Sequence, residues 1–210
     1  PTQNADGSFS IDTFLPRAGL YKVYADFYPM IGTPQVLQRN LVTRGAQCDL
    51  VANQAQLKPS AQSSMSAKAI ATTVTKANAD MLGVVQSALA ANPSNEMVVN
   101  LETGKLASGQ EAVLSFHLTD AVTGQPVKDL IPFLGAWGHM LILSEDQVDV
   151  IHSHPDVLVN TDIPYNQQHG GPDLKFDVNF PAPGNYRIWI QFIRGRQVHT
   201  AHFDVKATRD

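Results

Sequence analysis

All seven histidines of this 210-residue chain, His117, His139, His152, His154, His169, His199 and His202, follow residue 116. The sharpest local pattern among them is His152-Ser-His154-Pro155. Residues i and i+2 of a strand project to the same side about 6.5–7 Å apart, close enough for two imidazoles to hold one ion. Neutral imidazole suits zinc, copper and nickel. Further ligands are sought where a ring must find a partner. By strand alternation His139 shares a side with Leu141 and Leu143, and His199 shares one with Ala201, Phe203 and Val205. A polar ring among apolar side chains needs a metal, a carbonyl or a water. His139, His152, His154 and His199 therefore form the candidate metal site, for copper or zinc. Met140 would add a soft thioether, but alternation turns it away from His139. His117 and His169 read as surface residues, and His202 as a surface or supporting group.

Enzymatic patterns are absent. There is no Gly-x-Ser-x-Gly elbow, no phosphate-binding glycine loop and no His-Glu-x-x-His helix. Cys48, the one cysteine, lies in Gly45-Ala-Gln-Cys-Asp-Leu50 without a nearby histidine and reads as a free or structural thiol rather than a nucleophile. A single cysteine excludes an intrachain disulfide and a paired-cysteine zinc site. Asp146, Asp149 and Asp156 flank turns, where carboxylates are ordinarily solvated. The chain reads as non-catalytic.

The elements that must carry these histidines are strands, and part of the chain is duplicated. The segment from Asp6 to Phe27 aligns without gaps on Gly171 to Phe192. Pro16, Gly19, Tyr21, Val23, Tyr24 and Phe27 fall on Pro181, Gly184, Tyr186, Ile188, Trp189 and Phe192. After a short insertion around Pro29 to Gly32, Gln35-Val36 and Leu41 fall on Gln197-Val198 and Phe203. Each copy reads as three strands. In the second, Leu174, Phe176 and Val178 alternate with polar residues, Pro181-Ala-Pro-Gly184 turns the chain, and Tyr186, Ile188 and Ile190 alternate again. A Pro-x-x-Gly-x-Tyr corner resembles that of immunoglobulin-like sandwiches, in which a tyrosine hydroxyl bonds back to nearby backbone.

More strand candidates precede the second copy: 98–101, 112–119, 139–143 and 148–153, punctuated by Thr123-Gly-Gln-Pro126 and Glu145-Asp-Gln147. About seven short strands with regular turns indicate a mainly β, antiparallel, immunoglobulin-like sandwich over 97–210. Residues 1–45 supply only the C-terminal half of such a module. Open sheet edges are a pairing liability in water, so either an upstream segment or a partner protein is expected to complete it. Between them, 46–96 reads as linker, with a candidate amphipathic helix over 67–91 from Ile70, Val74, Ala77, Met81, Val85 and Leu89. In the aligned strand His199 and His202 replace Leu37 and Asn40, so the strand pattern alone does not demand an imidazole there.

With 43% hydrophobic residues the chain can bury a sizeable core. Its formal charge is −4 and its 15 Lys and Arg are scattered, which argues against a nucleic-acid partner. No apolar run reaches the roughly 18–20 residues of a membrane-spanning helix. A charged fraction of only 16% and frequent Gly, Pro, Thr, Gln and Asn suggest an exported protein, periplasmic or extracellular. Pro1 stands where an initiator Met or signal pattern would, which points to an upstream segment. Gly138-His139, His152 to Pro155 and Val198 to Thr200 together resemble bacterial exported sandwich modules, immunoglobulin-like or cupredoxin-like, that occur beside copper and heavy-metal proteins. The resemblance covers 97–207 and implies a metal-related role without naming an activity. The alternative is an assembly or adhesion protein whose sandwich binds another chain by strand pairing.

Overall fold

In a computed structural model of the chain, residues 2–15, 18–27, 35–44, 66–73, 96–195 and 197–209 are described. Cys48, Pro16, the insertion at 29–32, the helix candidate beyond residue 73 and nearly all of the linker lie outside them. Among the described residues the regular structure is strand, apart from one turn of 3₁₀ helix at Tyr165–Gln167. The fold is mainly β and its strand pairs are antiparallel. The chain divides into two compact units, Pro1–Ala55 and Gln56–Asp210.

The first unit contains a short pair, β1 (Thr2–Gln3) with β2 (Phe9–Ser10), and a hairpin of β3 (Leu20–Phe27) with β4 (Gln35–Val42). Three of the hairpin's apolar side chains are exposed: Val23 is 48% exposed, Phe27 41% and Leu41 44%. The residues aligned with them in sequence, Ile188, Phe192 and Phe203, are 0%, 0% and 4% exposed.

The second unit runs β5 (Ser66–Thr73), β6 (Met97–Thr103), β7 (Glu111–Asp120), β8 (Leu130–Ile131), β9 (His139–Ser144), β10 (Val150–Ser153), β11 (Asp173–Asn179), β12 (Gly184–Arg194) and β13 (Gln197–Ala207). Pairing follows the order β10-β9-β12-β13-β5-β6-β7-β11, with β8 also on β12. β5 links two leaves, because residues 66–71 pair with β6 while Thr72 and Thr73 pair with β13. Residues 66–73 are thus strand where the sequence suggested the start of a helix. Their Ala-Ile-Ala-Thr-Thr stretch has β-branched residues that favour the pleat, and two neighbouring edges are there to receive it.

Period-two alternation builds the core between the leaves. Leu114, Phe116 and Leu118 of β7, with Leu174, Phe176 and Val178 of β11, face Met140 and Ile142 of β9, Tyr186, Ile188, Ile190 and Phe192 of β12, and Ala201 and Phe203 of β13. The Phe116 ring lies 5.5 Å from Phe176 within its own leaf and 5.7 Å from Phe203 across the sandwich. The corner before β12 closes as its sequence implies: the Tyr186 hydroxyl donates to the Ala182 carbonyl at 2.8 Å and accepts from the Ala182 N–H at 3.3 Å. Burial, with Asp149 beside the hydroxyl, pushes the Tyr186 phenol up to about 12.

Candidate metal centre

Facing is decided by register. On β9, Met140, Ile142 and Ser144 are buried in the sandwich, which turns His139, Leu141 and Leu143 to the outer side of the leaf. Both sides of this strand are apolar, and the His139 side is not the core side. β10 pairs antiparallel with β9 so that His152 lies opposite Leu141. His152 therefore stands on the same outer side as His139, and His154, two residues on, follows it.

The three rings converge. His152 Nε2 lies 2.9 Å from His154 Nε2, and His154 Nε2 lies 3.1 Å from His139 Nδ1. Ring centroids are separated by 4.7 Å for His152 and His154, 4.6 Å for His154 and His139, and 5.6 Å for His139 and His152. One nitrogen from each ring falls within 4.8 Å of those of the other two. His139 and His152 are half-buried and His154 is exposed. Three imidazole nitrogens so disposed have the chemistry of a His₃ metal site, in which nitrogen ligands bind at about 2.0–2.1 Å from zinc.

Local structure fixes each ring. His139 Nε2 donates to the Phe133 carbonyl at 2.7 Å. A carbonyl can only accept, so in the neutral ring the proton sits on Nε2 and the Nδ1 lone pair turns toward His154. That carbonyl belongs to a two-residue turn in which Phe133 N–H donates to Ala136 O at 2.7 Å and Ala136 N–H donates to Phe133 O at 3.0 Å. The turn places Leu134 and Gly135 at φ 48° and 86°, as a primed hairpin turn requires. The Phe133 ring meets His139 edge-on at 5.2 Å and joins Ile131, Ile193 and Val198 in a small apolar cluster. Gly138, just before His139, lies so close to β12 that a Cβ would meet the Gln191 carbonyl oxygen at 3.1 Å.

His154 is anchored from both sides in sequence. Ser153 Oγ donates to the Asp177 carbonyl of β11 at 3.1 Å, and Asp156 N–H donates to the Lys175 carbonyl at 3.0 Å. Pro155 between them is buried. The end of β10 is thereby stitched onto the opposite leaf. The sequence pattern revealed neither this stitch nor the Phe133 carbonyl. The one available signal was Leu134-Gly135, a pair suited to a tight turn.

His199 does not join the three. β9, β12 and β13 align His139 with Gln191 and Gln191 with Thr200, so the outer row ends on Thr200, whose hydroxyl accepts from Gln191 Nε2 at 3.1 Å. His199, one residue earlier, lies opposite Phe192 and faces the core, fully buried. His139 and His199 each share a side with apolar residues of their own strand, but those are opposite sides of the sheet, because the two strands have opposite registers to the core. Among the described residues neither His199 ring nitrogen makes a well-formed hydrogen bond, although the Arg194 backbone lies near the ring. Burial, reinforced by the positive charge of Arg194 and partly offset by the Arg194 backbone, pushes its pKa below the usual histidine value.

The remaining predicted positions are simply placed. Met140 is buried in the core, away from His139. His117 Nδ1 pairs with Asp173 Oδ1 at 2.6 Å on the exposed side of β7. His169 and His202 are exposed. No helix among the described residues is long and apolar enough to cross a membrane.

No curated protein and no solved structure is matched by this chain. A family model matches residues 92–209, more than half of the chain and the whole span that carries the three histidines. The chain therefore belongs to the family described as a domain of unknown function, DUF8832.

Proposed function

We propose that the second unit binds a copper or zinc ion through His139, His152 and His154, in an exported, non-catalytic protein that handles or delivers the metal. The observation that carries this reading is the convergence of His139 Nδ1, His152 Nε2 and His154 Nε2, with contacts of 3.1 and 2.9 Å. Imidazole donors suit both metals. The thioether of Met140 is excluded from the site by its burial on the opposite side of β9, so nothing in the donor set selects copper over zinc. The test is calorimetric titration of the purified chain with Zn(II) and Cu(II), beside a His152→Ala/His154→Ala double variant. Tight binding of one ion by the parent and its loss in the variant supports the reading; equal, weak binding by both removes it.

A second reading concerns the first unit, as an assembly module completed by a partner chain or by further sequence. What favours it is the exposure of Val23, Phe27 and Leu41, whose counterparts in the second copy are buried under an opposing leaf. Uncovered apolar sheet surface of this kind invites strand or leaf addition. Hydrogen exchange tests it: amides of residues 20–42 that are fully protected in the isolated monomer would argue against it.

A further inference from the structure

We infer that the three-histidine centre leaves one coordination position open to solvent, and that this position takes an exogenous monodentate donor, a small anion or a neutral nitrogen base. The inference rests on the metal-binding reading above and specifies what that site does with its remaining valence. Among the described residues, the group that can converge on one ion consists of three histidines, with no further His, Cys, Asp or Glu in it. One flank of the centre is apolar: His139 sits edge-on against Phe133, which packs with Ile131, Ile193 and Val198, while the Gln191 amide opposite His139 is engaged with the Thr200 hydroxyl. The two nearest soft or imidazole candidates, Met140 and His199, are buried on the core side of the leaf. His202 shares the outer side but stands three strands away from His152, about 14 Å at the usual strand spacing.

The opposite side of the centre is the exposed one, where His154 meets solvent. Zn(II) ordinarily takes at least four ligands and Cu(II) a square-planar or tetragonal set, and a zinc site with three protein donors keeps the last for water or substrate, whereas structural sites are closed by four. Rigid placement matters as much as number. His139 is held by the Phe133 carbonyl at 2.7 Å, and His154 is flanked by the Ser153 and Asp156 bonds to β11. Such anchoring keeps His139 and the chain around His154 in place when the fourth ligand exchanges.

The experiment loads the chain with Co(II), a spectroscopic stand-in for zinc, and titrates it with azide while following the visible absorption bands. The expected result is one Co(II) per chain and a saturable spectral change at one azide per metal. A His202→Ala variant should respond like the parent, and a His139→Ala/His152→Ala/His154→Ala variant should lose both the bound Co(II) and the azide response. Stoichiometric Co(II) whose spectrum azide leaves unmoved would overturn the open position while leaving the metal site intact. Failure of the parent to bind Co(II), Zn(II) or Cu(II) would remove both. An azide response that survives in the triple variant would place the ligand elsewhere and would also overturn the inference.

Discussion

His139 donates through Nε2 to the Phe133 carbonyl and presents Nδ1 to His154 Nε2 at 3.1 Å, so one ring is at once anchored to a turn and aimed at its neighbours. This fixes a tautomer. Long-range ¹⁵N–¹H correlation spectra should show His139 protonated at Nε2, and addition of Zn(II) should perturb its Nδ1 resonance while leaving that proton in place. A ring protonated at Nδ1 in the metal-loaded chain would contradict the arrangement.

The turn that supplies the carbonyl depends on Gly135, at φ 86°. A β-branched residue there is strained by about 1–3 kcal/mol. Gly135→Val should therefore lower stability and release His139 from its anchor, weakening metal affinity by about 10- to 100-fold, the usual effect of losing a supporting bond to a ligand. Thermal unfolding with and without Zn(II) separates the two effects: a lowered midpoint in the apo protein reports strain, and a reduced metal-induced rise reports the lost anchor.

His154 is exposed and its ring contributes little to the core. His154→Ala should change apo stability by no more than about 0.5 kcal/mol, as is usual for surface substitutions, while abolishing the stabilisation that saturating Zn(II) confers on the parent. Denaturant melts of the two proteins, each with and without metal, measure this directly.

His199 offers the opposite contrast. Among the described residues its two buried ring nitrogens make no well-formed hydrogen bond, and leaving a buried polar group unsatisfied costs about 1–3 kcal/mol. His199→Leu should raise stability by an amount of that order, less any repacking, and should leave Zn(II) affinity unchanged because the residue faces the core. The sign with pH follows from its lowered pKa. Below the ordinary value of about 6.5 the unfolded chain binds a proton that the folded chain does not, so this residue's contribution to stability falls with decreasing pH, by up to about 1.4 kcal/mol per unit, until the folded pKa is passed. Above that value its contribution is level. Denaturant midpoints between pH 7 and pH 5 should drop less steeply in His199→Leu than in the parent; equal slopes would contradict the assignment.

Tyr186 ties the corner to β12. Its hydroxyl accepts from the Ala182 N–H at 3.3 Å and shares its one proton between the Ala182 carbonyl at 2.8 Å and Asp149 at 3.1 Å, with the side chain almost wholly buried. Tyr186→Phe keeps the ring packing and removes those bonds, so it should destabilise the second unit by about 1–3 kcal/mol without altering metal binding.

The sequence by itself determined the strands of the second unit other than β5 and β8, the corner before β12 and the shared side of His152 and His154. Each follows from local chemistry: alternation of apolar residues, Pro and Gly at a turn, and the two-residue period of a pleated strand. The alignment of residues 6–27 on 171–192 also made the exposed Val23 legible as the sequence match of a buried residue. Only the tertiary structure decided which side of β9 is the core. His139-Met-Leu-Ile-Leu143 is apolar on both sides, so periodicity could not choose between Met140 with Ile142 and Leu141 with Leu143. The choice comes from pairing: β12 sets Gln191 beside His139 and Phe192 beside His199. A difference of one residue in register reverses the side of a sheet on which a chain end points. For that reason three of the four candidate histidines meet on the outer surface, and the fourth is enclosed between the leaves.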